Sequence, residues 1–386
     1  MRDRLVIHYA SSLVLMALIA LSSVNTAWAK VDNARSTQSK PFKTHKPQHK
    51  KPQAARSLPG PAYAQRTEAL QWGSELATRH NLPQTWVNAA IADARMLPNV
   101  ARLVTPSTKP TAKNWAAYRE RFIEPHRIAA GLAFWQEHAS ELARAEHTYG
   151  VPARIIVGIL GVETLYGQHT GSFRILDALA TLAFDFPQAH PRALERQAFF
   201  RQELEHFLMM TYQNKADPRS LKGSYAGAMG LPQFMPSSWR RYAVDFDGDG
   251  RIDLWNSTAD AIGSVANYFR AFDWQAGQPT TFDVQVQSSP EQLEQLLLPD
   301  ILPTFSAQTL QSLGLQLPPD AVQYPGKLAL IELRNGEDAP SFVLGTENFY
   351  AVTRYNWSSY YAMAVIELGE TIERDRQRLA LSAQAQ

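Results

Sequence analysis

Cysteine does not occur in this chain. That absence excludes disulfides as a source of stability, and it excludes a lipid-bearing cysteine at a processed N-terminus, so no membrane anchor of that kind is expected. Long apolar runs are scarce too. The most conspicuous lies between Ser11 and Leu21, short for a bilayer span and followed by no stop-transfer pattern. With Met1-Arg-Asp-Arg4 before it and Thr26-Ala-Trp-Ala29 after it, the order is basic, apolar, then small-x-small. That order predicts a signal peptide over residues 1–29, cleaved after Ala29, and a soluble, exported, periplasmic protein. Neither sign of charge dominates: 38 Lys and Arg stand against 36 Asp and Glu, and no nucleic-acid partner is expected. What is present in quantity is core material, 45% hydrophobic and 10% aromatic over 386 residues, enough for two or three globular domains.

The basic residues are unevenly placed. Residues 30–60 are rich in Lys, Pro, Ser, Thr and His with almost nothing to bury, and read as a disordered basic tail: a solubilising linker, or a segment that lies on an anionic envelope polymer. From 61 to 145 apolar residues recur at helical spacing, as in Leu70, Trp72 and Leu76, or Leu132, Phe134 and Trp135, with breaks at Pro98 and Pro106. This predicts a helical domain, followed by a helical core over 146–275. Residues 276–350 change character. Thr281–Val286 alternates, Lys327–Leu333 and Ser341–Leu344 flank Asn335-Gly336, and Phe349–Tyr355 is aromatic and β-branched, all strand or hairpin signals; Glu291–Leu298 and Ala307–Leu313 read as short helices between them. A C-terminal helical segment over 351–386, with its helix from about Ser358 to Leu379, returns to the helical part. The fold class is α+β, mainly helical.

One acid stands out. In Val151-Pro-Ala-Arg-Ile-Ile-Val-Gly-Ile-Leu-Gly-Val-Glu-Thr-Leu-Tyr-Gly167 the spacing predicts a helix of about four turns with Pro152 in its first turn and Gly167 as its stop. Ile156, Leu160 and Glu163 share a face, so the carboxyl is drawn toward the apolar side. A carboxyl removed from water without a cationic partner keeps its proton to higher pH, as a general acid requires. The other reading is a carboxylate at a helix end satisfied by an arginine or a backbone amide.

Two further segments carry chemistry. Gly223-Ser-Tyr-Ala-Gly-Ala-Met-Gly-Leu-Pro-Gln-Phe-Met-Pro-Ser-Ser-Trp239 mixes glycines, Ser224 and Gln233 with flat rings, a composition suited to sugars and also common in plain structural loops. Asp245-Phe-Asp-Gly-Asp-Gly-Arg-Ile-Asp253 places carboxylates at positions 1, 3, 5 and 9 of an EF-hand-like loop, with glycine at 6. Position 12 is Asn256 rather than glutamate, and the next carboxylate is Asp260, so the choice is between a longer calcium loop and an oxygen-rich turn without metal.

Taken in order, Gly161-Val-Glu-Thr164, Gly223-Ser-Tyr-Ala-Gly-Ala-Met-Gly230, Gln233-Phe-Met-Pro-Ser-Ser238, Ala243-Val-Asp-Phe-Asp-Gly-Asp-Gly250, Asp260-Ala-Ile-Gly-Ser-Val-Ala-Asn-Tyr268 and Thr353-Arg-Tyr-Asn356 resemble the lytic murein transglycosylase B family, glycoside hydrolase family 103, from about Tyr118 to the end. The resemblance implies a lysozyme-like catalytic core, a further helical domain and a small β-containing domain. It implies Glu163 as the sole catalytic acid/base, Tyr118, Ser224, Gln233, Phe234, Tyr268, Tyr355 and Asn356 as cleft residues, and a structural Ca²⁺ held by Asp245, Asp247, Asp249, the Arg251 carbonyl and Asp260. The implied reaction cleaves the β-1,4 bond between MurNAc and GlcNAc of peptidoglycan glycan strands with formation of 1,6-anhydroMurNAc. The rivals are a hydrolytic muramidase on the same bond and a non-catalytic wall-binding scaffold; cell-wall synthesis or remodelling enzymes are candidate partners. Lacking cysteine, the chain resembles the soluble form of the family.

Overall fold

The computed structural model describes residues 59–105 and 113–384. The expected signal peptide and nearly all of the expected basic tail lie outside these residues. At their start the Gly60 amide already donates to the Met96 carbonyl at 2.7 Å.

The helix Ala153–Thr164 is the centre of the molecule. It is apolar almost all round, with Ile155, Ile156, Val157, Ile159 and Leu160 all buried, and a helix of that kind must be wrapped by others. Its main neighbour is the C-terminal helix Ser359–Gln384; Pro125–Glu137, Ala139–Tyr149 and Thr258–Ala271 also pack on it. The crossing with the C-terminal helix is close because Gly158 meets the Val365 carbonyl and Gly369 meets the Arg154 carbonyl, each at a place where a Cβ would collide with backbone. A second helix pair, Ile175–Phe184 against Ala193–Gln213, and the N-terminal pair Thr67–His80 with Gln84–Asp93, pack beside them. One continuous hydrophobic core runs through these elements, from Tyr63 to Ile372.

The acid-bearing helix stops earlier than its glycine suggests. Leu165 (φ 50°) and Tyr166 (φ 56°) are both left-handed ahead of Gly167 (φ 90°), and the Leu165 and Tyr166 amides close on the Gly161 and Leu160 carbonyls at 3.2 and 3.1 Å. Left-handed geometry costs a non-glycine residue about 1–2 kcal/mol. Packing offsets it: Leu165 is buried, and the Tyr166 ring stacks on Phe134 at 5.0 Å with its hydroxyl over Gly131 and Gly161.

The β-containing part has a core of its own, made by Leu296, Leu310, Leu315, Ala321, Tyr324, Leu328, Leu330 and Leu344. Its three-stranded antiparallel sheet has the order Thr281–Asp283, Asp338–Gly345, Ala329–Asn335. The last two strands form the hairpin expected at Asn335-Gly336, with Gly336 at φ 70°. Gln285–Val286 leaves this sheet and pairs with Leu315–Gln316. Side chains alternate along Ala329–Asn335: Leu330 faces the small core, whereas Ala329, Ile331 and Leu333 belong to the large one.

One strand expectation is overturned. Phe349–Tyr355 is helical, within Glu347–Tyr355. The Thr346 hydroxyl accepts from the Asn348 and Phe349 amides at 3.1 and 3.3 Å, a helix N-cap, and the buried Phe349, Val352 and Tyr355 recur at every third residue toward the core. Burial of that face outweighs the β propensity of Val352 and Thr353.

Candidate active site

Glu163 sits in the last turn of its helix, two residues before the left-handed stop. The negative end of the helix dipole disfavours a second negative charge there. Desolvation adds a larger effect. Although part of the side chain stays open, burial raises its pKa from 4.5 to about 8, against a smaller lowering by one hydrogen bond from Tyr361. The Tyr361 hydroxyl donates to Glu163 Oε1 at 2.6 Å. Among the described residues no cation and no second carboxylate contributes to the shift.

Tyrosines surround this acid. The phenols of Tyr118, Tyr355 and Tyr361 are all held well above their ordinary pKa, first by burial and then by the charge of Glu163. Tyr355 and Tyr361 lie nearly parallel at 6.5 Å, and Tyr355 packs on Tyr268 at 4.8 Å and Phe234 at 5.8 Å. The Tyr355 hydroxyl donates to the Pro232 carbonyl and that of Tyr268 to the Arg354 carbonyl, both at 2.6 Å. These two phenols are therefore spent on holding backbone. Tyr118, carried by Trp115–Arg119 and packed on Trp115, Phe122 and Tyr360, is different: its buried hydroxyl has no hydrogen-bond partner among the described residues.

The glycine-rich segment is folded as a scaffold. Ser224 Oγ accepts from the Ala226 and Ala228 amides at 3.3 and 2.9 Å, which leaves its proton to give. Gln233, at φ 51°, donates its amide nitrogen to the Thr170 and Gly230 carbonyls at 3.1 and 2.9 Å, leaving its oxygen to accept. Asn356 is buried with neither amide atom hydrogen-bonded, and the Tyr225 hydroxyl is likewise unpaired among the described residues. Leaving such groups unpaired costs about 1–3 kcal/mol each, a cost that a polar ligand removes.

Other acids are engaged elsewhere. Asp177 accepts from Arg174 and from the Arg95 amide, Asp185 from Arg66 and Tyr63, and buried Glu203 from the amide and hydroxyl of Ser237. Tyr361 is not legible in the sequence, because 198 residues separate it from its partner and no local pattern marks it. The doublet Tyr360-Tyr361 soon after Tyr355 is its only sequence trace.

The loop 245–260 brings together three of its expected ligands. Carboxylate oxygens of Asp245, Asp247 and Asp249 lie within 4.8 Å of one another. Asp245 also accepts from the Gly248 and Gly250 amides at 2.7 and 2.8 Å, with both glycines at positive φ, 79° and 87°. Asp260 stands apart from this trio: its buried carboxylate clamps the loop, accepting from the Phe246 and Asp253 amides at 2.7 and 2.8 Å. Hard oxygen donors in this number fit a calcium ion better than a softer metal.

A family model described as the transglycosylase SLT domain matches residues 64–370. Membrane-bound lytic murein transglycosylase B of Escherichia coli (strain K12) is 38% identical over 374 residues, which is 95% of this chain and 97% of its own. Among solved structures, the E. coli lytic transglycosylase Slt35 in complex with calcium superimposes with a TM-score of 0.70 at 38% identity, covering 84% of this chain and 99% of that one. SltB3 from Pseudomonas aeruginosa, in complex with NAG-anhNAM-pentapeptide, does so with a TM-score of 0.67 at 30% identity over 81% and 80% of the two chains.

Proposed function

Because the chain belongs to the lytic murein transglycosylase B family and is a lytic transglycosylase acting on peptidoglycan, we propose that Glu163 is its sole acid/base and cleaves the MurNAc–GlcNAc β-1,4 bond in two proton transfers. Neutral Glu163 protonates the glycosidic oxygen. The resulting carboxylate then takes the proton of the MurNAc 6-hydroxyl as that oxygen closes onto C1, giving the 1,6-anhydro sugar, with the substrate's 2-acetamido group sharing the charge at C1. The observation that carries this reading is a carboxyl at the end of an apolar helix with one phenol as its hydrogen-bond partner, its pKa pushed up by burial to about 8 and, among the described residues, no second carboxylate acting on it. Tyr118, Tyr225, Asn356, the Ser224 proton and the Gln233 oxygen are the groups left to bind the sugars and their N-acetyl arms; the rings of Phe234, Tyr268 and Tyr355 form the wall behind them. Mass spectrometry of muropeptides released from sacculi tests the reaction. Ends one water lighter than reducing sugars support it; reducing ends assign the chain to hydrolysis instead.

Tyr361 is a positioning residue for this acid. Its hydrogen bond stabilises the Glu163 carboxylate, so Tyr361→Phe should push the Glu163 pKa above about 8 and move the alkaline limb of kcat/KM to higher pH. Losing one hydrogen bond to a charged group should also lower the rate roughly tenfold. A pH profile that does not move would remove Tyr361 from this role.

In the loop 245–260, Asp245, Asp247, Asp249 and the Arg251 carbonyl would hold a calcium ion, with Asp260 setting the loop around them. A bound ion would offset the mutual repulsion of the three carboxylates and add stability without touching the chemistry. At a hundredfold excess over Kd the gain is about 2.7 kcal/mol. Melting temperature should therefore rise with calcium and fall with chelator in the parent, and respond to neither in Asp247→Ala; a parent indifferent to calcium removes the site. Among the described residues no helix is long and apolar enough to cross a membrane.

A further inference from the structure

We propose a second glycan-binding groove, outside the Glu163 cleft, that holds a stem-bearing peptidoglycan strand along the loop after the helix Ala193–Gln213. This rests on the reading that the chain acts on peptidoglycan. Two cavities of about 560 and 660 Å³ adjoin there and share Gln213, Lys215 and Ala216 in their linings. Each is of the size that takes small ligands. Neither is lined by Glu163 or by any side chain grouped around it.

Both cavities have aromatic walls. Trp86 and Tyr212 meet edge to face at 5.1 Å in one; Trp239 and Trp255 meet at 5.0 Å in the other. Tyr212 is 39% exposed, among the few large apolar side chains left so open. Trp255 is fixed by its indole N–H, which donates to the Lys222 carbonyl at 2.9 Å, so its face is presented without a cost of ordering. Flat rings of this kind pack against the C–H face of a pyranose, and Gln213, Asn214 and Asn256 supply amides for hydroxyl and N-acetyl groups.

Charge narrows the ligand. Two carboxylates line the cavities, but Asp217 pairs with Arg219 and Asp253 accepts from the Trp255 and Asn256 amides, and Arg251 pairs with Asp249; Lys215, exposed where the two cavities join, has no carboxylate in salt-bridge range among the described residues and is the charge left over. Lys215, at φ 52°, is the left-handed residue that ends the helix, with its amide and that of Ala216 closing on the Tyr212 and Thr211 carbonyls at 3.2 and 2.9 Å, which fixes its place at the junction. An exposed lysine without a carboxylate partner, between aromatic walls, matches a polymer that alternates pyranose faces with the carboxylates of peptide stems.

The test is a Tyr212→Ala/Lys215→Glu double variant. Sedimentation with intact sacculi, in a Glu163→Gln background that keeps the polymer uncut, should show affinity lowered about tenfold, the effect of truncating a good contact residue. In the otherwise native enzyme, turnover of a soluble four-sugar glycan fragment should be unchanged. Unchanged sacculus affinity, or an equal loss on the short fragment, would overturn the groove. Should the double variant melt early, Lys215→Gln alone decides: sacculus affinity of the parent should fall more steeply with salt than that of the variant, and equal slopes would overturn the proposal. Failure of the activity reading is seen separately, as an absence of anhydro ends in the parent digest.

Discussion

Glu163→Gln is expected to abolish glycan cleavage while the protein folds and still sediments with sacculi. Glutamine keeps the shape and can still accept the Tyr361 hydroxyl, but it neither delivers a proton to the leaving oxygen nor removes one from the 6-hydroxyl. General acid–base help is worth about two to four orders of magnitude, and here one group is asked for both transfers, so the loss should reach the upper end. More than about a tenth of the activity remaining would move the chemistry to another residue. Stability should change in the opposite direction. The folded-state pKa lies above the unfolded value, so folding takes up a proton, and the native protein loses stability as pH rises from about 4.5 through about 8. The glutamine variant has no such loss. Its melting temperature should exceed that of the parent by a gap that opens over this window and is constant above it.

The second large effect is expected where the two central helices cross. Gly158→Ala and Gly369→Ala oppose two known quantities. Alanine in a helix interior is favoured over glycine by about 1 kcal/mol. Against that, each new methyl would meet a backbone carbonyl of the facing helix, at Val365 and Arg154, which cannot rotate away as a side-chain tip could. Overpacking of this sort costs typically about 1–3 kcal/mol, and rigid backbone on the far side places it at the upper end. Collision should win, lowering the melting temperature by roughly 5 °C per site. Activity should fall as well, since one of these helices carries Glu163 and the other Tyr361. A variant that melts higher would mean that the helices part easily and that propensity decides.

Local pattern carried much of this. The all-apolar helix, the hairpin at Asn335-Gly336 and the acidic spacing from Asp245 to Asp249 are set by neighbours in sequence, and each is found, although the helix is shorter at both ends than Pro152 and Gly167 predict. Glu163 was legible because one carboxyl in an apolar helix contradicts its surroundings. What escaped depends on the tertiary environment. Phe349–Tyr355 has strand-like residues but a threonine cap and a buried third-residue face, and burial of that face outweighs composition. Leu165 and Tyr166 end a helix in a conformation expected of glycine, because Phe134, Gly131 and Gly161 accommodate the tyrosine ring. Ser224 and Gln233 have the chemistry of sugar contacts, yet most of their hydrogen-bonding capacity holds their own turn in shape. Tyr361 touches the acid from another helix, and nothing near it in sequence says so.

The strand Ala329–Asn335 bears on how this architecture could be rearranged. With Leu330 turned to the small core and Ala329, Ile331 and Leu333 to the large one, it is a party wall. Excising residues 281–345 as a cassette would strip apolar cover from the catalytic half, and grafting them elsewhere would carry an unpartnered greasy face to the new host. An exchange of modules between relatives would therefore have to bring along a matching patch on the helical half, so recombination across this boundary is constrained to partners that already share both faces.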